Sequence, residues 1–411
     1  MPIVISTKGN DVTAWREAGE FGLLFRQVLL GKSALLTSEQ FEALLGSVGQ
    51  ELERRATEHD AALAAVGCLM DDASAATEPA RLGGVVREFY GSCYALFGSN
   101  LSAPAFYRLS GAFLGVVARS ALGCALGRLG LSAGRLPPLA LIALGPTGRH
   151  EFSPFCSPQL LLVHGEAGPL TAELPEMLGL ALHEVFEAAG LHPDATITPR
   201  NPEWCGTLVQ WRQRLIAGLE GGEPAELVDL LRLADQAALF SANGLEQEFR
   251  DLCTALLRKS RATLAFLVTR ILALSNGVGL MGGLRLERSG PHRGLFALFD
   301  HALLPLTASV AALSLMMGGT GVGTPQRIRE LLASRKLNVE LAERLLDAWH
   351  TLSELRLARE GDLFPDTAGR SSLYFSPDAL SDADMERFRE ALEAVDVIQR
   401  HVAITFSEGE E

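Results

Sequence analysis

The sequence predicts an α+β fold that is mostly helical, with one small mixed sheet flanked by N- and C-terminal helical regions. Three observations lead there. Apolar residues recur at helical spacing over residues 1–130 and again from about residue 204 to the end. Between them, Leu136-Pro137-Pro138 stops a helix, and the short apolar runs Leu139–Leu144 and Leu160–Val163 follow. Gly145 closes the first run and Gly165 the second, a pattern that favours buried strands over helix. The expected organisation is a helical N-terminal region over 1–130, an α/β domain over 131–245 and a helical domain over 246–411.

Local signals place the individual elements. Thr37-Ser38-Glu39-Gln40 reads as a capping box, leading into Phe41, Leu44, Leu45, Val48 and Leu52. Residues 103–129 carry apolar and small residues that let helices approach closely. Leu174, Met177, Leu178, Ala181, Leu182, Val185 and Phe186 form one apolar face of a helix over 171–189, with Gly190 at its C-terminal end. Residues 191–203, with Pro193, Pro199 and Pro202, read as loop or a further short strand. Thr324-Pro325 reads as a cap with proline at the first helical position. Ser381-Asp382-Ala383-Asp384 starts a last helix carrying Phe388, Leu392, Val395 and Ile398.

Composition bounds the function. The chain has 411 residues, 48% of them hydrophobic and 21% charged, enough for a substantial core. A net charge of −13 disfavours non-specific binding to nucleic acid. The six cysteines form no CxxC pair and read as scattered reduced thiols of a cytoplasmic protein. Residues 302–319 and 111–145 are apolar, but Pro305 and the pair Arg119 and Arg128 interrupt them, so buried helices rather than membrane spans are expected. The Gly/Ala-rich helices leave room for a homo-oligomer.

The segment with chemical content is Gly145-Pro146-Thr147-Gly148-Arg149-His150-Glu151, followed by Phe152–Cys156 and then Ser157-Pro158-Gln159. Here the sequence resembles the polymerase-β-type nucleotidyltransferases, closest to the branch related to the PII-protein uridylyltransferase. That branch is often bacterial and associated with CBS and cyclic-nucleotide-binding domains. Its pattern is Gly-Ser-x-Gly-Arg-x-Glu, then Asp-x-Asp entering a strand. Gly145, Gly148, Arg149 and Glu151 match. Downstream, Asn201-Pro202-Glu203-Trp204 with Trp211 matches the family's Asn-Pro-x-Trp segment. Asp235-Gln236-Ala237 stands where the family has Asp-x-Arg, and Thr324, Arg327 and Leu355-Arg356-Leu357 fit its helical substrate-binding domain. The likeness extends over roughly residues 85–405.

The resemblance implies a glycine turn that approaches nucleotide phosphates, built here from Gly145, Thr147, Gly148, Arg149 and Glu151. It also implies two strand carboxylates holding Mg2+ against a nucleoside triphosphate. This sequence departs at those points. Pro146 replaces the serine, and Ser157 and Gln159 replace both aspartates. The expectation is therefore a degenerate member with no catalytic or metal residue assigned, acting in signalling through a nucleotide or a protein partner. The alternative is an active transferase that recruits Glu151, Asp194 or Asp235. Arg149 and Glu151 also have a structural reading, a buried ion pair pinning the turn. Trp204 and Trp211 read as core anchors, and His150 and His164 as surface or turn residues. Arg285, Arg288, His292 and Arg293 mark the Gly-rich segment 282–294, read either as a solvated loop or as an anion- or partner-binding loop reaching toward the cleft.

Overall fold

The structure, a computed structural model, describes residues 38–99, 101–132, 134, 136–166, 173–279, 283–365 and 373–408. The Thr37 end of the expected capping box and the Gly279–Gly283 run at Leu280, Met281 and Gly282 lie outside the described residues. Two units are distinguished, residues 4–68 and the remainder, which is essentially 69–411. In the smaller one the described residues form the first part of α1 (Ser38–Ser74).

The larger unit opens with α2 (Pro79–Ser99) and α3 (Ala103–Leu129), which ends where Gly130 takes a left-handed φ of 65°. Between them Phe89 stacks on Phe113 with centroids 3.6 Å apart, and Tyr90 meets both edge-on. Then come β1 (Leu139–Leu144) and β2 (Gln159–His164), antiparallel in the register Leu141↔Leu162. The two apolar runs thus pair as the sequence predicts. All six residues of β1 are buried, so the run is continuous rather than alternating.

Next are α4 (Leu174–Ala188), β3 (Cys205–Thr207), α5 (Leu208–Gly221), α6 (Pro224–Arg232), β4 (Gln236–Ser241) and α7 (Leu245–Lys259). The sheet order is β3-β2-β1-β4, with β2 and β3 parallel and the other pairs antiparallel. Ala140, Ile142 and Leu144 of β1 share one face and pack with Leu161, Val163, Trp204, Trp211 and Phe249. Thr207 and Gln210 form a reciprocal capping box that starts α5. The trailing sequence is not helical throughout: β4 is a true strand on β1. Its residues, QAALFS, include no β-branched side chain, so the pairing with β1 rather than propensity makes the strand.

The C-terminal half holds α8 (Arg261–Ala273), a β5 (Phe296–Ala297) and β6 (Tyr374–Phe375) pair, α9 (Leu304–Met317), α10 (Thr324–Ala333), α11 (Val339–Leu363) and α12 (Asp382–Glu408). A π-helical turn over Phe299–Leu303 leads into α9. Ser381 accepts from the Asp384 amide, so the cap read from the sequence is present. At α10 the expectation fails. Thr324 is already inside the helix, Gly323 is the cap residue, and no local side chain caps it. Helix α3 and the segment Phe299–Met317 are long and apolar enough to cross a membrane, but 56% and 67% of their apolar windows are buried inside the fold.

Candidate functional site

Strand β1 delivers the chain into a single helical turn, Gly145–Gly148. Gly145 has a φ of 59°, a conformation natural to glycine. Pro146 sits in the first turn, where a missing N–H leaves no intrahelical bond unmade. The Arg149 amide donates to Gly145 O at 2.8 Å and the Glu151 amide to Pro146 O at 2.8 Å, so the motif is a tightly bonded knot. Gly148 is required by packing: a Cβ there would lie 2.1 Å from Asp235 O and 2.6 Å from Ala143 O. The turn is wedged between β1 and the residue that precedes β4.

The positions where the family carries its carboxylates follow. Ser157 lies before β2, with Pro158 between it and the first strand residue, Gln159. The two are therefore not alternate residues of one strand, which is what a paired carboxylate site would need. The Gln159 side chain lies over the Gly145 turn; a Cβ on Gly145 would be 3.0 Å from its Oε1. Its Nε2 donates to Asp194 Oδ2 at 3.5 Å. The other oxygen of Asp194 accepts the amides of Thr196 and Ile197, both at 2.9 Å. Asp194 thus stands beside Gln159, engaged as a loop organiser.

Arg149 and Glu151 do not face an open cradle. Arg149 Nε donates to Glu151 Oε2 at 3.0 Å, and its Nη1 to Asp235 Oδ2 at 2.6 Å. Arg327 of α10 completes a second bond to Asp235 and also donates to Ala234 O and Gly321 O. Glu151 Oε1 accepts the Trp349 indole N–H at 3.1 Å and the Thr324 amide at 3.4 Å. It therefore stands at the α10 N-terminus in place of the missing local cap, where a negative charge also suits the helix dipole. From α11, Arg356 donates to Glu151 O at 3.4 Å, Ser153 Oγ at 2.7 Å and Glu360 Oε1 at 2.8 Å. Tyr94 of α2 donates to the other Glu360 oxygen at 3.1 Å.

This network is buried: Arg149, Glu151, Arg327, Arg356 and Glu360 are each 8% exposed or less. Burial alone lowers the affinity of Arg149 for its proton, but Glu151 and Asp235 outweigh it and raise it above the ordinary arginine value. For Asp235, burial pushes the carboxyl up, and the guanidiniums of Arg149 and Arg327 with their hydrogen bonds more than reverse that. Buried charges of both signs are thus mutually compensated.

The sequence-derived residues divide accordingly. Gly145, Gln159 and Asp194 converge on one side of the turn, with Ser157 preceding the strand. Gly148, Arg149, Glu151 and Asp235 form the joint with the C-terminal helices. Thr147 is buried in the turn. Trp204 and Trp211 are core, their centroids 6.0 Å apart. His150 is exposed with a φ of 60°, while His164 is buried, with Nδ1 2.8 Å from Gly165 O. Tyr94, Ser153, Trp349 and Glu360 were not legible as members of the network, since no local pattern connects them to the turn. Of the segment 282–294, the described residues from Leu284 to Gly294 line a separate groove with α11 and α12 rather than reaching the Gly145 turn.

The site is a glycine turn between two antiparallel strands of a small mixed sheet, bonded to helices that follow it in the chain. Residues 88–225 match the family described as "Putative nucleotidyltransferase DUF294", and residues 261–406 match its "Putative nucleotidyltransferase substrate binding domain". These two domains, in that order, support the chain's place in the nucleotidyltransferase family. No curated protein matches the chain.

Proposed function

We propose that this protein is a non-catalytic member of the nucleotidyltransferase family that acts by binding, in a regulatory role. The observation that carries the reading is the Gln159–Asp194 contact beside Gly145. A neutral amide occupies the position of a metal-binding carboxylate, and the neighbouring carboxylate is hydrogen-bonded on both oxygens.

The donor set does not fit a magnesium site. Mg2+ needs near-octahedral oxygen ligands and usually carboxylates for charge compensation. Ser157 and Gln159 are neutral, and buried Glu151 and part-buried Asp235 are both bound to arginines. Among the described residues no group of three or more His, Cys, Asp or Glu could hold a metal ion. What the resemblance adds, a relationship to the PII-uridylyltransferase branch and a bacterial, cytoplasmic signalling setting, belongs to the same reading.

Calorimetric titration with ATP, GTP, CTP and UTP, each with and without Mg2+ or Mn2+, tests it. The expected result is no binding to the cleft, or binding indifferent to metal. Tight metal-dependent binding, or metal-dependent nucleotide transfer to any acceptor, would overturn the reading in favour of an active enzyme with relocated ligands.

A further inference from the structure

A groove of about 1570 Å³ opens in the C-terminal domain, away from the Gly145 turn. Its walls are residues 276–279 and 284–294 and the facing sides of α11 and α12. Five arginines line it against three carboxylates, in a chain whose net charge is −13. Each carboxylate has a basic side chain beside it. Asp396 pairs with Arg400 and accepts from Asn276, Glu393 lies 3.6 Å from Arg344, and Glu287 lies 3.8 Å from His301. Arg285, Arg288 and Arg293 are exposed, and their guanidiniums have no hydrogen-bond or ion-pair partner among the described residues.

These three guanidiniums sit on a bonded scaffold. The Arg285 amide donates to Gly277 O at 2.8 Å, the Glu287 amide to Leu295 O at 2.9 Å and the Gly294 amide to Glu287 O at 2.8 Å. Leu286 bridges Phe296, and the His292 ring stacks on Tyr374 with centroids 3.8 Å apart. This scaffold is thus a short meander continuous with the β5–β6 pair. The nearby His301 Nδ1 is buried without a partner. Val278, Leu284, Leu286 and Val397 give the groove an apolar lining beside the charges.

Unpaired arginines that line one groove are stabilised by an anion that can accept several forked N–H pairs. Phosphate suits that fork, and a ligand with more than one phosphate can engage more than one guanidinium. We propose that this groove is an anion site for a small molecule bearing two or more phosphates, with its non-phosphate part resting on the apolar lining. The groove lies wholly within the segment matching a substrate-binding domain. The proposal does not depend on what the Gly145 cleft binds.

The test is calorimetric titration of the full chain with inorganic pyrophosphate, without metal, at low and moderate salt. Saturable binding that weakens with salt is expected. Joint substitution of Arg285→Ala, Arg288→Ala and Arg293→Ala should lower the affinity by about tenfold or more, and Arg212→Ala, exposed elsewhere, should leave it unchanged. If the triple variant melts early, Arg288→Glu alone decides, with a severalfold loss expected. Absence of pyrophosphate binding, or wild-type affinity in these groove variants, would overturn the proposal. So would saturable binding of an oligoglutamate peptide where pyrophosphate fails, which would mark the groove as a peptide site.

Discussion

The carboxylate of Glu151 accepts the indole N–H of Trp349 at 3.1 Å across 198 residues of sequence. The same oxygen takes the first amide of α10, and the partner oxygen holds Arg149. One side chain of the glycine-turn motif therefore bonds its own turn and two helices of the C-terminal domain.

Removing that carboxylate should leave Arg149 under-compensated and the α10 terminus uncapped. Glu151→Ala is expected to lower stability by about 3–5 kcal/mol, measured by urea unfolding. A double-mutant cycle with Trp349→Phe should show coupling between the two sites on the order of 1 kcal/mol. Strictly additive effects would mean that the indole contact contributes nothing.

Asp235 should give the protein an acid-sensitive component of stability. Its folded pKa lies below the ordinary carboxylate value. Its contribution is therefore complete above roughly pH 4 and is lost as pH falls through the folded value. Asp235→Asn should be destabilised at neutral pH and should lose part of the wild-type pH slope below that point. Parallel slopes in the two proteins would show that Asp235 is not the group responsible.

Gln159→Asp places a second carboxylate beside Asp194. At neutral pH the repulsion should cost on the order of 1 kcal/mol at this half-buried site, read as a lower midpoint in urea unfolding. A variant as stable as wild type at neutral pH would show that the two side chains separate freely.

Gly148→Ala drives a methyl group into two backbone carbonyls that cannot rotate away. A loss of about 3 kcal/mol or more is expected, enough to prevent folding in a marginal protein. Gly123→Ala is the matched control, because nothing lies within 4 Å of its Cβ position in α3. It should be neutral or stabilising by up to about 1 kcal/mol. Thermal melts of both distinguish packing from a general intolerance of side chains at glycine positions.

Much of the fold was written locally. The apolar run of β1, the face of α4, the capping of α12 and the Pro137-Pro138 break are decided by residues close in sequence, and the periodicity carries through to burial in β1 and in α4 except at Met177, which is exposed. β4 was not legible, because its strand state comes from hydrogen bonds to β1 rather than from its own side chains. The start of α10 was misread at Thr324-Pro325 for the same kind of reason. Its cap is Glu151, 173 residues earlier.

By itself the sequence determined that a glycine turn joins two buried strands, and that neutral Ser157 and Gln159 stand where the resembled family has acids. Tertiary structure decided what the retained residues do. Arg149 and Glu151 could have faced a ligand or each other, and only the arrival of Asp235, Arg327, Trp349 and Arg356 from distant segments makes them a joint. A charged side chain in a motif specifies capacity for an ionic bond. Its partner is set by which helices close over it and by the requirement that a buried charge be compensated.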